Sequence, residues 1–477
     1  MALWLVLVPL AFAAVAFATP GARVRPWLLP AAGATQLGVV ALELLGRGAG
    51  TGAPWLELDP IGRLVTAYLA VLFFWCAAYA PGYLAFRSER PNRIFCSVML
   101  VFFAMMNLIA SVQHLGLLWV AVEATTLASG PLLYFNRNPR SIEATWKYLL
   151  IGSVGIALAL LGTFFVAYSA LRAGIATSML LPDVIASAPQ LSRPWLHSGF
   201  VLALVGYGTK MGLAPMHTWK PDAYGEAPGL VGALLAGGLT SCAFVAILRF
   251  FQICVAAGES EFARSLLLFL GLFSMAVAGA FMVRQGDYKR MLAYSSVEHM
   301  GILVLGIAIG GAGTFGALLH LINNGLSKGV LFLSAGNIHR AFGSKRTANV
   351  SGALSVLPGS ASLFLAGFFA ITGTPPFGPF VSEFTILSAM LRAERWGVAA
   401  AFLGLLVVVF VGMGSTVLAV VQGEPPARSD ATAYRDGWLG VAPIAVLLAL
   451  VLGLGLWIPA PIVALLRDAA AAVEVAR

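Results

Sequence analysis

Two lysines of this sequence lie inside apolar segments, where a positive charge is costly. Lys210 stands in LVGYGTKMGLAP and Lys328 in LINNGLSKGVLFL, away from the loops that hold most of the other cations. Removing a lysine from water favours its neutral form, whereas a nearby carboxylate favours the charged form. A lysine whose distance to a carboxylate changes can therefore bind and release a proton, and we interpret both residues as proton carriers.

Glu123, in LLWVAVEATTLASG, is a carboxylate at a comparable depth. It lies about eight residues into its apolar segment, or ~12 Å along a helix. A charge at that depth costs at least about 2.5–3.5 kcal/mol, so it needs a partner or a function. We predict that Glu123 pairs electrostatically with Lys210. The alternative is a structural carboxylate satisfied by Thr125, Thr126 or a neighbouring helix.

A polar stripe surrounds Lys328. His320, Asn324 and Lys328 are spaced at i, i+4 and i+8, with Ser327 beside them, so one helix face carries all of them over ~12 Å. Histidine and lysine can titrate while asparagine and serine can hydrogen-bond, as a proton relay requires. The alternative is a stripe that only holds helices together.

Glu383 follows a Gly- and Pro-rich break, ITGTPPFGP, much as Lys210 precedes the other break, so we regard it as a candidate functional carboxylate; a structural pairing with an arginine is the alternative. A second set could take up protons or modulate the path, or could form local ion pairs and loop networks. It consists of Lys147, His217, Asp222, Glu226, Glu298 and His299.

The composition indicates what kind of chain must position these residues. Of 477 residues, 60% are hydrophobic and 10% are charged, against about 25% charged in soluble domains. Repeated apolar runs of about 20 residues predict an all-α integral membrane protein, whereas the alternation of a membrane barrel is missing. The net charge of +9 is dispersed, without the basic stripe of a nucleic-acid-binding protein.

Cofactor sites are not predicted in this chain. Walker A and dinucleotide motifs are missing, and the four cysteines lie in apolar stretches without the close spacing of an iron–sulfur or zinc site. We therefore expect no cofactor and no metal here. The cysteines are Cys76, Cys96, Cys242 and Cys254.

About fourteen transmembrane helices are expected, and two apolar runs, 196–223 and 351–391, contain helix breakers. Breaks near 208–215 and 371–379 are five helices apart, which suggests two inverted five-helix repeats, each with one broken helix. The predicted hinges are Gly212, Pro215, Gly373, Pro375, Pro376 and Gly378. The predicted units are three N-terminal helices (1–93), the two repeats (94–260 and 261–422), and one last helix near 438–466 with a short tail (423–477).

Orientation follows from the basic residues. Loops after odd-numbered spans carry 17 arginines and lysines, including Lys220, and the other side carries 10, including Arg249. Because positive loops stay in the cytoplasm, we predict a multi-pass protein of a bacterial-type cytoplasmic membrane with both termini outside.

Four motifs in order, GTKMGLAPMHTWKPDAYGEAP, DYKRMLAYSSVEHMG, HLINNGLSKGVLFL and GTPPFGPFVSEF, resemble a known family. They are similar to the proton-conducting, antiporter-like membrane subunits of respiratory complex I, Mrp antiporters and membrane-bound [NiFe] hydrogenases. The resemblance covers about residues 94–422. Two segments, PMHTWKPDAYGEAP and AYSSVEHMGI, look most like component F of hydrogenase-4 and formate hydrogenlyase-type complexes.

The resemblance implies a central polar axis in which Glu123 and Lys210 pair, and His320, Lys328 and Glu383 continue the path. Two positions depart from the family pattern. Where many relatives have a bridging lysine on the eighth helix, this sequence has Ser241, so Thr240, Ser241 and water are candidate bridges. Where the family usually has WLPDA, this sequence has WKPDA, which adds Lys220.

The function expected from the resemblance is proton translocation as a redox-inert subunit of a redox-driven complex. Its partners would be other membrane subunits and a peripheral redox module carrying iron–sulfur clusters and, in a hydrogenase, nickel–iron. One alternative is a subunit of a Mrp-type sodium/proton antiporter. Another is a membrane scaffold with a decayed proton path, although decay should have replaced costly buried charges with leucine. Catalysis by this chain alone is not expected.

Overall fold

Long apolar runs bounded by glycine, proline and charged residues form the helices of this chain. The computed structural model describes residues 2–46, 53–176, 178–425 and 432–474, and within those ranges it contains no β-strand. The α-helices are α1 (Ala2–Ala18), α2 (Leu28–Leu44), α3 (Pro60–Phe86), α4 (Arg93–Ser111), α5 (Leu115–Leu133), α6 (Pro139–Arg172), α7 (Leu181–Ser187), α8 (Arg193–Met211), α9 (Lys220–Glu226), α10 (Gly229–Leu234), α11 (Thr240–Ala256), α12 (Ser260–Met282), α13 (Tyr288–Ile309), α14 (Ala312–Phe342), α15 (Ala353–Val356), α16 (Pro358–Ile371), α17 (Gly378–Arg392), α18 (Trp396–Val421), α19 (Trp438–Leu456) and α20 (Ala460–Glu474).

The prediction of an all-α membrane protein is confirmed. In the described ranges, ten helical segments are long and apolar enough to cross a membrane, and α1 and α16 are shorter apolar helices. A five-residue π-helical turn, Leu235–Leu239, joins α10 to α11, so that Gly229–Ala256 forms one of the ten segments. The count of fourteen crossings and the internal repeat stay predictions.

Helix α14 lies at the centre of the fold and places the polar stripe there. It is 31 residues long, is buried almost throughout, and contacts α10, α13, α16, α17, α19 and α20. Because these neighbours surround α14, its polar side chains face protein rather than lipid, which is the arrangement that a membrane tolerates.

Close helix pairs hold the other functional helices in place. A Cβ on Gly206 of α8 would lie 2.5 Å from the backbone nitrogen of Ala159 in α6. A Cβ on Gly301 of α13 would lie 2.6 Å from the carbonyl oxygen of Gly271 in α12. Small residues at such contacts let helix backbones approach closely, so α8 and α13 are tightly registered against their neighbours.

Two segments interrupt the apolar runs where glycine and proline cluster. Helix α8 ends at Met211, and Gly212 follows in the left-handed conformation with φ 80°. Helix α16 ends at Ile371, and Gly373 has φ 66°. Both segments contain a cis X–Pro bond, Ala214–Pro215 and Pro375–Pro376. We call residues 212–219 the first break and residues 372–377 the second break.

The C-terminal region differs from the prediction of one helix near 438–466 with a short tail. Helix α19 ends at Leu456, and α20 begins at Ala460 and continues to Glu474. Pro459 and Pro461 explain the division, because the residue before a proline disfavours helical backbone. Helix α20 packs against α3 and α14, and Glu474 pairs with Arg264 at 2.5 Å.

Candidate functional site

Lys210 is buried at the end of α8, where two polar side chains contact its ammonium group. Its Nζ donates hydrogen bonds of 2.7 Å to Thr126 Oγ1 and 2.7 Å to Tyr148 OH, and it lies 4.5 Å from the centre of the Tyr148 ring. Thr126 Oγ1 in turn donates to Glu123 Oε2 at 3.1 Å. The Lys210 side chain is therefore connected to Glu123 through one hydroxyl group rather than by direct contact.

Two further features of the surroundings attract the ammonium group of Lys210, although burial opposes its charge. The residue stands in the last turn of α8, where the helix dipole places partial negative charge. The face of the Tyr148 ring is also electron-rich, and a lysine within ~6 Å of such a face is attracted to it. Glu123 is only half-buried and accepts a second hydrogen bond from Ser153 Oγ at 3.1 Å.

Lys220, counted above among the loop cations, is fully buried instead. Its Nζ donates to Ser296 Oγ at 3.1 Å and lies 5.7 Å from the centre of the Tyr224 ring. The chain can bring Lys220 this close to α8 because Gly212 has no side chain: a Cβ there would lie 2.7 Å from Lys220 Nζ. The first break therefore folds Lys220 back toward the end of the helix that carries Lys210.

The middle of the site lies between α13 and α14. Lys328 Nζ donates to Ser295 Oγ at 2.7 Å, and Ser296, the partner of Lys220, is the next residue of α13. Glu298 follows two residues later and is 2% exposed. Two adjacent serines thus contact two different buried lysines, Lys220 from the start of α9 and Lys328 from the polar stripe.

Two histidines and a glutamate form the far end of the site. His299 Nδ1 lies 3.0 Å from His320 Nε2, and His320 Nδ1 lies 2.9 Å from Ser382 Oγ in α17. Glu383, beside Ser382, is 6% exposed, and one of its carboxylate oxygens lies within 4.8 Å of a ring nitrogen of each histidine. A Cβ on Gly373 would collide with Glu383 Oε2. In each break, therefore, a left-handed glycine makes room for a titratable side chain.

The candidate bridging residues have mixed surroundings. The hydroxyl groups of Thr240 and Ser241 donate to the carbonyl oxygens of Ala236 and Gly237, each at 2.6 Å, so they follow the backbone of their own helix. Asn324 and Ser327 are buried in α14, and their side chains have no hydrogen-bond partner among the described residues.

Unpartnered polar atoms are concentrated in the same region. Over the residues described, they include both side-chain atoms of Asn323 and of Asn324, Ser327 Oγ, Glu298 Oε2, His299 Nε2 and Glu383 Oε1. Buried polar atoms without a protein partner are rare, and ordered water or an ion is the usual partner in such cases. Gly378 belongs to this region too, because a Cβ there would collide with Asn323.

Lys147, Asp222 and Glu226 lie apart from this line, in a surface cleft of about 840 Å³. Lys147 Nζ lies 2.6 Å from Glu143 and 2.9 Å from Asp222, and Glu226 pairs with Lys345. The candidate modulating residues thus divide into two groups. Glu298 and His299 belong to the buried line, whereas Lys147, Asp222 and Glu226 form ion pairs in the cleft.

His217 lies in the first break and is 7% exposed. Its ring centre is 6.2 Å from that of Tyr294, a residue that also lines the cleft. Its Nδ1 has no hydrogen-bond partner within the described part of the chain.

Sequence reasoning did not identify several contacts of the site. Tyr148, Ser295, Ser296 and Ser382 contact the lysines and histidines, but each is an ordinary residue in an apolar segment. Lys289, counted as a loop cation, is also buried, and its Nζ donates to Ala227 O at 2.6 Å. The paired serines of AYSSVEH were a usable signal, because hydroxyl groups in a membrane helix need partners.

Groups able to bind a cofactor or metal are few in the described ranges. The four cysteines are buried and unpaired, and burial there fits small apolar residues. His299, His320 and Glu383 are the side chains whose ligand atoms come together in the described part of the chain.

Comparison with known proteins supports a relationship over most of the chain. A family model described as NADH:quinone oxidoreductase/Mrp antiporter, TM matches residues 112–410. A hydrogenase-4 component F homolog of Methylacidiphilum infernorum is 35% identical over 420 residues, covering 85% of this chain and 86% of that protein. NADH-quinone oxidoreductase subunit N of Desulforudis audaxviator is 33% identical over 376 residues, covering 75% of this chain and 73% of that protein.

The fold is also similar to that of a solved membrane complex. A chain of the Mrp complex from Dietzia sp. DQ12-45-1b superposes with a TM-score of 0.86 at 22% identity, covering 98% of this chain and 96% of that chain. At that identity the similarity concerns the fold alone.

Proposed function

The chain belongs to the NADH:quinone oxidoreductase/Mrp antiporter family of membrane subunits, and we propose that it carries protons across the membrane along its buried titratable residues. The observation that carries the proposal is their arrangement. Thr126 lies between Glu123 and Lys210, two adjacent serines contact Lys220 and Lys328, and Glu383 lies beside the two histidines of the far end. Isolated buried charges would be costly, whereas a chain of titratable groups in a membrane is typical of proton pathways.

Lys220 is the step of this path that connects the two halves. Its Nζ lies against Gly212, two residues beyond Lys210, and is hydrogen-bonded to Ser296. Ser295, the neighbouring residue, binds Lys328. We propose that Lys220 supplies the bridging cation that many relatives have on the helix of Ser241. The departures at Ser241 and Lys220 then compensate for each other.

From Lys328 the proposed path passes Glu298 and the two histidines to Glu383. The 3.0 Å contact between His299 and His320 allows one ring nitrogen to donate to the other. Glu298, Asn324 and Ser327 have side-chain atoms unpartnered among the described residues, and ordered water is the usual partner of such atoms. Water would complete the path where side chains do not touch.

Direction and location also belong to the proposal. Protons would be taken up near the cleft of Lys147, Asp222 and Glu226 and released near Glu383 and the second break. The two breaks support the prediction that residues 94–260 and 261–422 are inverted repeats, because each break has a left-handed glycine beside a titratable side chain. The cytoplasmic membrane and outward termini remain the expected setting.

We propose that redox chemistry in partner subunits drives the translocation, as the names of the hydrogenase-4 and NADH-quinone oxidoreductase relatives suggest. Partners would be other membrane subunits and a peripheral module with iron–sulfur clusters and, in a hydrogenase, nickel–iron. The fold shared with the Mrp complex supports cation/proton antiport as a second candidate. Measuring nickel and iron in the complex purified in mild detergent separates the two, because the antiporter should contain neither.

The central test is proton translocation by the intact complex reconstituted in vesicles. Lys210→Met should abolish proton movement while electron transfer by the partners continues. A membrane scaffold would tolerate that change. Normal pumping by Lys210→Met, in a complex of unchanged subunit composition, would refute the proposed path.

A further inference from the structure

Three potential metal ligands from three different helices meet inside the protein. His299 of α13, His320 of α14 and Glu383 of α17 each offer one ligand atom, and these atoms lie within 4.8 Å of one another. The side chains are 1%, 0% and 6% exposed, so their arrangement is set by helix packing rather than by mobile loops. We propose that His299, His320 and Glu383 form a binding site for a divalent transition-metal ion, with Zn²⁺ as the fitting ion.

The distance between the two histidine nitrogens is close to that of a tetrahedral zinc site. Zinc binds histidine nitrogen at about 2.0–2.1 Å, so two histidine nitrogens in a tetrahedral site are about 3.3 Å apart. His299 Nδ1 and His320 Nε2 are 3.0 Å apart. If an ion replaced their shared hydrogen bond, the two nitrogens would therefore have to move apart by only a few tenths of an ångström. Glu383 would supply the third ligand and water the fourth, as in zinc sites with an open position.

The opposite nitrogen of each histidine already faces an oxygen. His320 Nδ1 lies 2.9 Å from Ser382 Oγ, and His299 Nε2 lies 3.6 Å from Glu298 Oε2. Metal-binding histidines usually donate their second ring N–H to an oxygen acceptor, which orients the ring and strengthens the ligand. His320 thus has the outer partner that a metal-binding histidine needs, whereas His299 Nε2 and Glu298 Oε2 are too far apart for a hydrogen bond and both lack a partner in the described ranges.

The unpartnered carboxylate oxygen, the nearby charges and the ligand types together indicate which class of ion the site would bind. Glu383 Oε1 is buried and has no hydrogen-bond partner in the described ranges, so a cation would satisfy it. Glu298 and Glu383 can each supply a negative charge, and Lys328 of the same helix as His320 is the nearby opposing charge. Two imidazoles and one carboxylate suit zinc and similar transition metals, whereas Mg²⁺ and Ca²⁺ prefer oxygen ligands.

The second break lies between this site and the protein surface. Glu383 Oε2 lies against Gly373, and Pro375 and Pro376 of the same break are exposed. A bound ion would occupy both histidines of the proposed proton path, so it should block translocation. That consequence rests on the proposed function; binding of the ion does not.

The experiment measures zinc binding and proton translocation separately, on the purified intact complex. Isothermal titration with Zn²⁺ should find one site that weakens at least tenfold in His299→Gln and in Glu383→Gln. Ser382→Ala should weaken it about tenfold through the outer partner of His320. X-ray absorption at the zinc edge should show two imidazole nitrogens and one carboxylate oxygen at about 2.0–2.2 Å.

His197→Gln is the matched control, because His197 lies 2.9 Å from Glu259 on the surface and offers a comparable His–Glu pair. It should leave the zinc affinity unchanged. The proposed site would be overturned if Glu383→Gln bound zinc with unchanged affinity, or if only His197→Gln weakened zinc binding. Tight binding at the site without inhibition would keep the metal site and instead contradict the proton path through the histidines.

Discussion

Glu123 and Lys210 share one hydroxyl group: Thr126 Oγ1 accepts a 2.7 Å hydrogen bond from Lys210 Nζ and donates one of 3.1 Å to Glu123 Oε2. The electrostatic pair predicted from the sequence is therefore indirect in this structure. Because Thr126 and Glu123 share α5, a small movement of α8 relative to α5 would break the hydrogen bond from Lys210 while leaving Thr126 beside Glu123. The hydroxyl group thus offers a point at which a conformational change could alter the charge of the lysine.

Replacing Thr126 tests this arrangement. Thr126→Val keeps the shape of the side chain but removes the hydroxyl group, and Thr126→Ser keeps the hydroxyl. Hydrogen bonds to charged groups contribute about 1.5–3 kcal/mol, so we expect Thr126→Val to slow proton translocation about tenfold or more. Thr126→Ser should remain close to wild type in vesicle assays of proton uptake.

Thr125→Val is the matched control for that measurement, because the Thr125 hydroxyl donates only to Val122 O at 2.6 Å among its described contacts. Equal losses in Thr125→Val and Thr126→Val would mean that the hydroxyl group of Thr126 has no special part in translocation.

Lys220 and Ser241 allow a rescue experiment. Lys220→Leu restores the usual family residue but removes the proposed bridge. We expect translocation to fall by about tenfold or more, toward the 10²–10⁴-fold effect of a positioned proton donor. Adding Ser241→Lys to this variant should recover part of the loss, because it returns a lysine to the helix where many relatives have one.

Two outcomes of the same proton-uptake assay would contradict this prediction. If Lys220→Leu translocates normally, the bridge does not run through Lys220. If the double variant is no faster than Lys220→Leu while both complexes keep their subunit composition, the two positions do not compensate for each other.

Replacing Gly212 should impair the protein through the position of Lys220 as well as through backbone strain. Alanine at a left-handed position costs roughly 1–2 kcal/mol. At Gly212 its Cβ would also displace Lys220, so we expect Gly212→Ala to lose proton translocation as well as stability. Gly258 is the control, since it has φ 76° and no atom within 4 Å of an added Cβ.

Gly258→Ala should lower the melting temperature by a similar strain and leave translocation intact. The two measurements, thermal unfolding and proton uptake, therefore separate strain from the position of Lys220. Equal activity in the two alanine variants would show that Lys220 tolerates displacement.

Asp59 and Arg249 should make stability depend on pH. Arg249, counted above among the loop cations, is 1% exposed and contacts Asp59 with both terminal nitrogens, at 2.5 and 2.6 Å. Burial alone raises the pKa of the Asp59 carboxyl, but the Arg249 guanidinium outweighs it and holds the pKa below its usual range. Asp59 precedes α3 and accepts a hydrogen bond from Gly62 N at 2.9 Å.

Asp59→Asn keeps a good N-cap but leaves Arg249 buried without a counter-charge, which should cost about 3–5 kcal/mol near neutral pH. A carboxyl whose pKa is lowered by folding stabilises the fold above its unfolded value of about 3.9, and that stabilisation is lost as the pH falls through the lower folded value. The gap in melting temperature between wild type and Asp59→Asn should thus be widest near neutral pH and shrink in acid.

Glu89→Gln is the matched control, because Glu89 is 58% exposed in its pair with Arg87. An exposed pair contributes at most about 1 kcal/mol. A gap for Asp59→Asn that does not change with pH would contradict the effect of the Asp59 charge.

Amino-acid chemistry alone predicted the all-α membrane fold and the positions of both breaks. Long apolar runs can satisfy their backbone in a membrane only as helices, and glycine and proline interrupt helices through local sterics. Those constraints act within a few residues and can therefore be recognised in the sequence. The burial of Lys210 and Lys328 was likewise expected from their positions within apolar runs, whereas Glu123 is only half-buried.

The contacts between these residues were decided by packing across the chain. Lys220 was taken for a loop cation, and only the fold of the first break places it against Gly212 and Ser296. His299, His320 and Glu383 come from three helices and meet because α13 and α17 both pack on α14. Sequence spacing determines which residues share one helix face, but the rotation and approach of neighbouring helices determine which faces meet. That arrangement depends on long-range contacts and was visible only in the tertiary structure.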